Sequence, residues 1–274
     1  DTSRPEFAFL AREGKDKLQR VTVKKLRQVY SQGCLVPAPT GAKVGDDVAD
    51  ILGVTHWNPP EDVGGIRANI ESVPPGLAYL TKYDVDTYHK YWRTFIDGEI
   101  VNVSEKLHGI SARFGFIDNE VYIGGRTQWL KDDVANVYWT AYKNDPNIES
   151  LIRNNQNLIL YGEVYGKVQK HFHYDAEPGN VKFRAFDIRR TDGTYLDVDN
   201  LHGLCNKYNV PLVPQLGNIP FNKEVLEKLA EEPSILGNCP CREGIVIKPM
   251  IERTNKWTGR TIVKLVSNKY LEKS

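Results

Sequence analysis

Five short, strand-like segments of the chain carry charged side chains, and several of them hold a glycine beside the charge. Glycine lets the backbone come close to a neighbouring group, so this pattern favours charges that face into a cleft. We therefore take these segments as candidates for one shared site. They are EKLHG at residues 105–109, YGEVYG at 161–166, FRAFDI at 183–188, REGIVIK at 242–248 and IVKLV at 262–266.

The residue types in these segments suit phosphate and metal chemistry. Mg²⁺ takes oxygen ligands, keeps several waters and bridges substrate phosphates, which makes Glu163 and Glu243 candidate metal contacts. Lys248 and Lys264 are candidates to neutralise phosphate charge as it develops. A lysine nucleophile must lose a proton from an ordinary pKa of about 10.4, and a nearby cation or metal lowers that value. Single lysines and glutamates at strand ends are usually surface residues, so the interpretation depends on the whole set.

In their order and spacing, the five segments resemble those of the covalent nucleotidyltransferase superfamily, which includes DNA ligases, RNA ligases and mRNA capping enzymes. Members share a lysine in a Lys-x-[Asp/His]-Gly motif that attacks the α-phosphate of a nucleotide. They also share a later aromatic strand, a Glu-Gly-hydrophobic-x-hydrophobic-Lys strand and a final lysine strand. The resemblance covers roughly residues 100–270, and Lys106 matches the lysine that becomes lysyl-AMP.

The residue two places after Lys106 indicates the branch of this superfamily. DNA ligases and capping enzymes usually have Asp there, whereas RNA ligases that seal duplex nicks often have His, as His108 does here. Residues 162–166 also resemble the third motif of that branch. The resemblance implies an ATP-dependent RNA ligase that uses Mg²⁺ or Mn²⁺. It would join a 3′-hydroxyl to a 5′-phosphate through lysyl-AMP and RNA-adenylate intermediates.

Site roles are implied by the same resemblance, residue by residue. Glu163 matches a residue that binds ribose or metal-bound water, and Glu243 matches a residue that contacts the metal through bound water. Phe186 matches the aromatic that stacks on adenine, and its alternative interpretation is a strand residue packed in the core. Glu105 matches a residue that reads adenine mostly through its main chain. The implied nucleotide contacts are Glu105, His108, Gly109, Arg126, Glu163, Phe186, Lys248 and Lys264.

Two regions depart from the family pattern or lack a clear match. Related ligases often end with a Lys-x-Lys motif, whereas Val266 stands at the second lysine position here. That role is either lost or taken by Lys269 or another cation. The region 167–173 has no assigned role, and substrate phosphates and a second metal are its candidate partners.

Two other classes of function stay open from the sequence. A capping guanylyltransferase or a DNA ligase would use the same lysine chemistry, but His108 in place of Asp argues against both. A non-catalytic nucleic-acid-binding module could keep the fold, but the retained Lys106, Glu163 and Glu243 argue against decay. The expected partner is RNA, as a nicked duplex or as RNA ends on an RNA or DNA template. The substrate, the pathway and the oligomeric state are not determined by the sequence.

The expected fold class is α+β, because helical and strand-like segments mix without a regular βαβ rhythm. The superfamily resemblance implies ATP-grasp-like antiparallel sheets with flanking helices. Apolar residues at helical spacing predict a helix over 85–95, and an Asp-Asn pair at 118–119 predicts a hairpin turn. Pro146 suits the first turn of a further helix, with Asp145 as its cap.

The domain organisation is predicted in three parts. Residues 1–35 resemble the C-terminal part of the N-terminal OB-fold of the Deinococcus and Naegleria RNA ligases, and the chain opens with Asp1 rather than Met, so we expect an upstream piece. Residues 36–75 are rich in proline and glycine and are predicted to form a connector with one short helix capped by Asp46. Residues 76–274 are predicted to form the nucleotidyltransferase domain.

Composition adds weak constraints. Lys and Arg number 36 against 35 Asp and Glu, so global charge gives no support for nucleic-acid binding. Residues 11–32 and 248–274 each hold seven basic side chains against two acidic ones, which suits phosphate binding, although a solvated face is the alternative. We expect no membrane span, because no run of about 18 apolar residues exists, and no secretory leader. Four sparse cysteines predict a reducing, intracellular compartment and no disulfide scaffold.

Overall fold

The computed structural model describes residues 2–11, 24–26, 29–31, 35–54, 83–132, 136–168, 172–237, 239 and 241–273. Contacts divide the chain into two compact units, Asp1–Gly65 and Ile66–Ser274. The predicted domain limits at residues 35 and 75 stay predictions, and so does the OB-fold, because residues 32–34 and 55–82 lie outside the described part of the chain.

Short elements make up the described part of the first unit. A 3₁₀ helix, Pro5–Leu10, is followed by two antiparallel strands, β1 (Lys24–Leu26) and β2 (Val29–Ser31). A short helix, α1 (Ala49–Leu52), lies within the predicted connector. The prediction that Asp46 caps this helix was wrong. Asp46 accepts a hydrogen bond from the Lys43 amide at 2.8 Å and so closes a turn before the helix, whose own first position follows Val48.

Strands of the second unit form two main sheets. The five-stranded sheet has the order β3-β13-β10-β4-β9, and the four-stranded sheet has the order β6-β5-β7-β8. Neighbouring strands are antiparallel except for the short parallel pair β3 and β13. The strands are β3 (Asp86–Thr87), β4 (Ile100–Lys106), β5 (Ile110–Ile117), β6 (Glu120–Gly124), β7 (Leu158–Gly166), β8 (Val181–Arg190), β9 (Gln215–Pro220), β10 (Gly244–Pro249), β11 (Thr254–Asn255), β12 (Gly259–Arg260) and β13 (Val263–Val266).

Helices flank both sheets. The four-stranded sheet packs against helices from the middle of the chain, and the five-stranded sheet packs against the segment before β4 and the helix after β9. This arrangement confirms the predicted α+β class with antiparallel sheets. The helices are α2 (Tyr88–Tyr91), α3 (Val137–Asn144), α4 (Pro146–Asn154), α5 (Val198–Lys207), α6 (Lys223–Ala230) and α7 (Asn268–Lys273).

Local signals in the sequence account for several of these boundaries. Asp118 and Asn119 adopt positive φ values of 51° and 65°, as a two-residue hairpin turn between β5 and β6 requires, so the predicted turn is confirmed. Asp145 accepts a hydrogen bond from the Asn147 amide at 3.0 Å, and Pro146 opens α4, as predicted.

The helix predicted over 85–95 is shorter than its apolar spacing suggests. The α-helical part is α2, and a 3₁₀ turn, Trp92–Thr94, continues it. Tyr88 and Phe95 are buried in the core of the five-stranded sheet, so the spacing reports burial correctly. β3 immediately precedes α2 and pairs with β13, which prevents an earlier helical start.

Two large apolar cores and two smaller clusters lie within the described part of the second unit. Phe114, Ile148 and Leu160 belong to the larger core, between the four-stranded sheet and α3, α4 and α5. Val101 and Ile245 belong to the core of the five-stranded sheet.

Among the helices of the described ranges, none is long and apolar enough to cross a bilayer.

Ile148→Ala tests the larger core. The side chain is completely buried, so its truncation removes packing that the rigid sheet replaces only in part. We expect a loss of about 3 kcal/mol in the free energy of unfolding, measured by urea denaturation. Ile251→Ala, at a side chain that is 72% exposed, is the control, with an expected change of about 0.5 kcal/mol or less. Equal losses in the two variants would contradict this assignment of the core.

Candidate active site

A cavity of about 320 Å³ lies between the two sheets. Its walls come from strands of both sheets, together with Tyr83, Asp84 and Arg126 from connecting segments. Antiparallel pairing therefore brings together segments that are far apart in sequence. The predicted site residues that line the cavity are Glu105, Lys106, Gly109, Arg126, Glu163, Phe186, Lys248 and Lys264.

A short ion pair joins Lys106 to Glu243 in this region. Lys106 ends β4, and it stands opposite Gly244 in the antiparallel pairing of β4 with β10. Glu243 precedes Gly244, so the pairing brings Lys106 Nζ to 2.5 Å from Glu243 Oε1. Glu243 Oε2 is buried and has no hydrogen-bond partner among the described residues. The lysine is thus held by one carboxylate oxygen, while the other oxygen is left to contact a further group.

Glu163 lies on β7 at the same end of the cavity. Burial raises its pKa to about 8, and Glu243 adds to the rise, whereas the nearby Lys106 ammonium lowers it. The amide of Gly109 donates a hydrogen bond to this carboxylate. A side chain at Gly109 would collide with the carbonyl of Val164 and with Glu163 itself, so only glycine permits this approach.

Lys264 on β13 brings a second ammonium group to the cavity. Burial lowers its pKa, and the positive charge of Lys106 lowers it further. Arg126 also lowers the pKa of Lys264, and its own guanidinium lies 2.5 Å from Asp84 Oδ1. Two lysines and an arginine therefore share one region of the cavity, which favours a polyanionic ligand.

The fourth predicted cation, Lys248, is bound to a buried carboxylate. Its Nζ lies 3.4 Å from Asp187 Oδ1. Asp187 Oδ2 also accepts a hydrogen bond from the Tyr83 hydroxyl at 2.8 Å and pairs with Arg260 Nη1 at 2.7 Å. Burial alone would raise the pKa of Asp187, but Arg260 and Lys248 outweigh it and hold the pKa below its usual value. Asp187 therefore fixes Lys248 at the cavity wall.

The position of Phe186 is compatible with both interpretations, an aromatic that stacks on adenine and a strand residue packed in the core. It lines the cavity, and its ring also packs against Tyr83 with the centroids 4.9 Å apart. Burial is intermediate, so one part of the ring stays available to a ligand. Adenine stacking by Phe186 stays a prediction.

Glu105 lines the cavity but its carboxylate is bound elsewhere, and His108 is not part of the cavity lining. The Glu105 side chain is fully buried and lies 3.4 Å from Arg242 Nε, so its carboxylate is directed into the protein. The amide of His108 donates to the Tyr174 hydroxyl at 2.7 Å, and His108 Nδ1 lies 3.7 Å from Glu243 Oε2. His108 thus contacts Glu243 rather than the cavity itself.

The two unmatched regions have local partners. Lys269 Nζ donates to the carbonyl of Glu231 at 2.9 Å, and Lys269 does not line the cavity. His173 Nδ1 lies 3.1 Å from the carbonyl of Gly166, and Phe172 packs against the His108 ring. Residues 169–171, with Lys170 and His171, lie outside the described ranges.

Several cavity residues were missed by the sequence analysis. Asn102 on β4 donates to Gln215 Oε1 at 3.1 Å and to Asn218 Oδ1 at 3.0 Å, and Asn102 and Gln215 both line the cavity. His202 from α5 and Tyr83 complete this wall. Asn102 lies in a strand whose pattern predicts a core residue at its position. Its partners lie more than a hundred positions later in the chain, so no local pattern in the sequence identifies it.

The chain is similar to known RNA ligases both in sequence and in fold. The RNA ligase family matches residues 99–266, more than half of the 274-residue chain. The chain belongs to the RNA ligase family. This confirms the family expected from the five segments. No curated protein sequence matches the chain.

Solved structures of Naegleria gruberi RNA ligase resemble this RNA ligase over most of its length. A mutant with ATP and Mn has a TM-score of 0.74 at 29% identity, covering 92% of this chain and 76% of that chain. An apo mutant has a TM-score of 0.73 at 30% identity, covering 92% and 75%. The complex with pyrophosphate has a TM-score of 0.70 at 29% identity, covering 92% and 75%. The nucleotidyltransferase fold predicted from the sequence is thereby confirmed.

Asp187→Asn tests the buried ion pairs of this RNA ligase. The change leaves Lys248 facing an uncharged amide, while Arg260 keeps its ion pair with Glu252, and we expect a loss of about 3–5 kcal/mol at neutral pH. Because the folded pKa is lowered, the carboxylate stabilises the fold above the ordinary aspartate pKa, and this contribution is lost as pH falls through the folded value. Urea unfolding at neutral and strongly acidic pH should therefore show a deficit that shrinks in acid.

The control for this measurement is Asp97→Asn, because Asp97 is exposed on the surface. We expect it to change stability by about 0.5 kcal/mol or less at either pH. A deficit in Asp187→Asn that stays the same in acid would show that the lost stability does not come from the carboxylate charge.

Proposed function

We propose that this RNA ligase uses ATP and a divalent metal to join RNA ends, with Lys106 as the residue that carries AMP. The observation that carries this proposal is the meeting of Lys106, Glu243, Glu163 and Lys264 at one end of the cavity between the sheets. Family membership and the likeness to Naegleria gruberi RNA ligase with ATP and Mn support the choice of nucleotide and metal.

The acidic groups of the cavity fit a divalent metal. Glu243 lies close enough to Glu163 to disfavour the ionised form of Glu163, and Glu243 Oε2 is buried without a partner among the described residues. A metal held by these two carboxylates would keep both ionised. Within the described ranges no group of three or more His, Cys, Asp or Glu side chains could enclose an ion. Two carboxylates with water and phosphate oxygens suit Mg²⁺ or Mn²⁺, which keep part of their hydration shell.

Lys106 Nζ is the proposed nucleophile of the first step. Its nitrogen attacks the α-phosphorus of ATP, a P–N bond forms, and the bond to the β-phosphate oxygen breaks to release pyrophosphate. Glu243 Oε1, at 2.5 Å, is the nearest base to accept a proton from Nζ. A bound divalent metal would stabilise the negative charge that develops on the phosphate oxygens. Lys264, Lys248 and Arg126 are proposed to hold the phosphates in line for attack.

The later steps transfer AMP to RNA and then release it. A 5′-phosphate oxygen of RNA attacks the phosphorus of lysyl-AMP, which frees Lys106 and forms RNA-adenylate. The 3′-hydroxyl of the neighbouring end then attacks the 5′-phosphorus, loses its proton and displaces AMP. Phe186 is proposed to stack on adenine through both steps, and the polar wall of Asn102 and Gln215 offers hydrogen bonds to a bound base or sugar.

The proposed substrate is a nick in a duplex. His108 at its motif position and the basic side chains of 248–274 support this choice.

We also propose a reducing, intracellular compartment, because Cys205, Cys239 and Cys241 are free thiols and two of them are buried.

Intact-protein mass after incubation with ATP and Mg²⁺ or Mn²⁺ tests the nucleophile. We expect a gain of one AMP in the wild-type chain and none in Lys106→Ala. Lys143→Ala is the control, because Lys143 pairs with Asp132 on the surface and should leave the adduct unchanged. A GMP adduct from GTP would point to capping chemistry, and a folded chain that is not adenylylated as purified and gains neither nucleotide would contradict the enzymatic proposal.

RNA joining tests the substrate. A labelled 5′-phosphate RNA is offered at a nick on an RNA template, at a nick on a DNA template, and as a single strand with a separate 3′-hydroxyl strand. Because a template holds the two ends in line, we expect nick sealing at least about tenfold faster than joining of free ends. Equal rates would contradict the nick preference without affecting the adduct result.

A further inference from the structure

Helix α7 follows β13 directly and lies beyond the segment 99–266 that matches the RNA ligase family. Its first turn is tied to the end of α6 by one carboxylate. Glu231 accepts hydrogen bonds from the Asn268 amide at 2.6 Å, from the Ser267 hydroxyl at 3.1 Å and from the Lys269 amide at 3.3 Å. These contacts fix the position of α7 relative to α6.

Anchored in this way, α7 brings Tyr270 to the side of His108. The Tyr270 hydroxyl lies 2.9 Å from His108 Nδ1, and the two rings are 5.4 Å apart. Phe172 packs edge-on against both rings, with centroids 4.9 Å from His108 and 5.6 Å from Tyr270. The imidazole is therefore held by two aromatic rings and by one hydrogen bond at Nδ1.

The same imidazole nitrogen faces the carboxylate that holds the proposed nucleophile. His108 Nδ1 lies 3.7 Å from Glu243 Oε2, while Glu243 Oε1 accepts from Lys106 at 2.5 Å. A proton on Nδ1 would be drawn towards Glu243, in competition with Lys106. A hydroxyl that donates to Nδ1 prevents this, because the nitrogen then offers a lone pair rather than a proton.

We infer that Tyr270 is a positioning residue for nucleotidyl transfer. Its hydroxyl donates to His108 Nδ1, so the neutral imidazole carries its proton on Nε2 and leaves Glu243 to Lys106. The inference rests on the proposed function only in its kinetic consequence, since the tautomer of His108 is a property of the folded chain. Tyr270 acts through His108 and Glu243 and does not itself touch the nucleotide site.

Nitrogen-15 NMR of the histidine side chains tests the tautomer directly. Spectra are recorded over a pH series, and the tautomer is taken from the high-pH limit at which the signals no longer change. His108→Asn identifies the His108 signals by their absence. We expect the Nε2–H tautomer in the wild-type chain and a shift towards Nδ1–H in Tyr270→Phe. An Nδ1–H tautomer in the wild type, or a ratio that Tyr270→Phe leaves unchanged, would overturn the inference.

Single-turnover adenylylation tests the consequence for Lys106. We expect Tyr270→Phe to form lysyl-AMP about tenfold more slowly at saturating ATP, the effect of losing one hydrogen bond, with an unchanged half-saturating ATP concentration. Tyr208→Phe, at the end of α5 and away from the cavity, should react at the wild-type rate. Thermal unfolding of both variants checks that the loss is not one of folding.

The double variant separates a positioning role from an independent one. If Tyr270 acts through His108, Tyr270→Phe should slow His108→Asn no further. Losses that multiply in the double variant would overturn the inference. If the wild-type chain formed no adduct at all, the proposed function would fail, while the NMR measurement would still decide the role of the Tyr270 hydroxyl.

Discussion

The antiparallel pairing of β4 with β10 is the constraint on which the rest of the site depends. It places Lys106 opposite Gly244, and so it brings an ammonium group against the carboxylate of Glu243 at the edge of the cavity. The Glu243 side chain is only 10% exposed, and the Lys106 ammonium offsets part of the cost of removing this carboxylate from water. The pair can therefore be kept at the cavity without a ligand, and it holds the nitrogen at a fixed point before any nucleotide arrives.

The site also brings like charges close together, two carboxylates in one case and two ammonium groups in the other. Burial and the nearby Glu243 raise the pKa of Glu163. Burial and the nearby Lys106 lower the pKa of Lys264. Both shifts favour the neutral form of the side chain. A cation that binds the carboxylates and a polyphosphate that binds the lysines would each relieve one of these repulsions. The cavity is in this sense complementary to a metal–nucleotide complex more than to either component alone.

Asp187 connects the two sheets at the opposite wall. It lies on β8 of the four-stranded sheet, and it contacts Lys248 on β10 of the five-stranded sheet and Arg260 on β12. A fully buried carboxylate is stable with two cations and the Tyr83 hydroxyl around it, since together they satisfy both of its oxygens. The two sheets are thus joined by a buried polar contact between β8 and β10.

The sequence by itself determined the five charged segments, their order, the α+β class and the turn and cap residues of the second unit. These follow from local rules of spacing, glycine use and capping, which act within a few residues. It did not reveal the contact of Lys106 with Glu243, 137 positions away, or that of His108 with Tyr270, 162 positions away. Such pairs are decided by strand register and by the path of the chain between sheets, because a side chain's partner across a sheet is set by tertiary packing and leaves no periodic signal in the sequence.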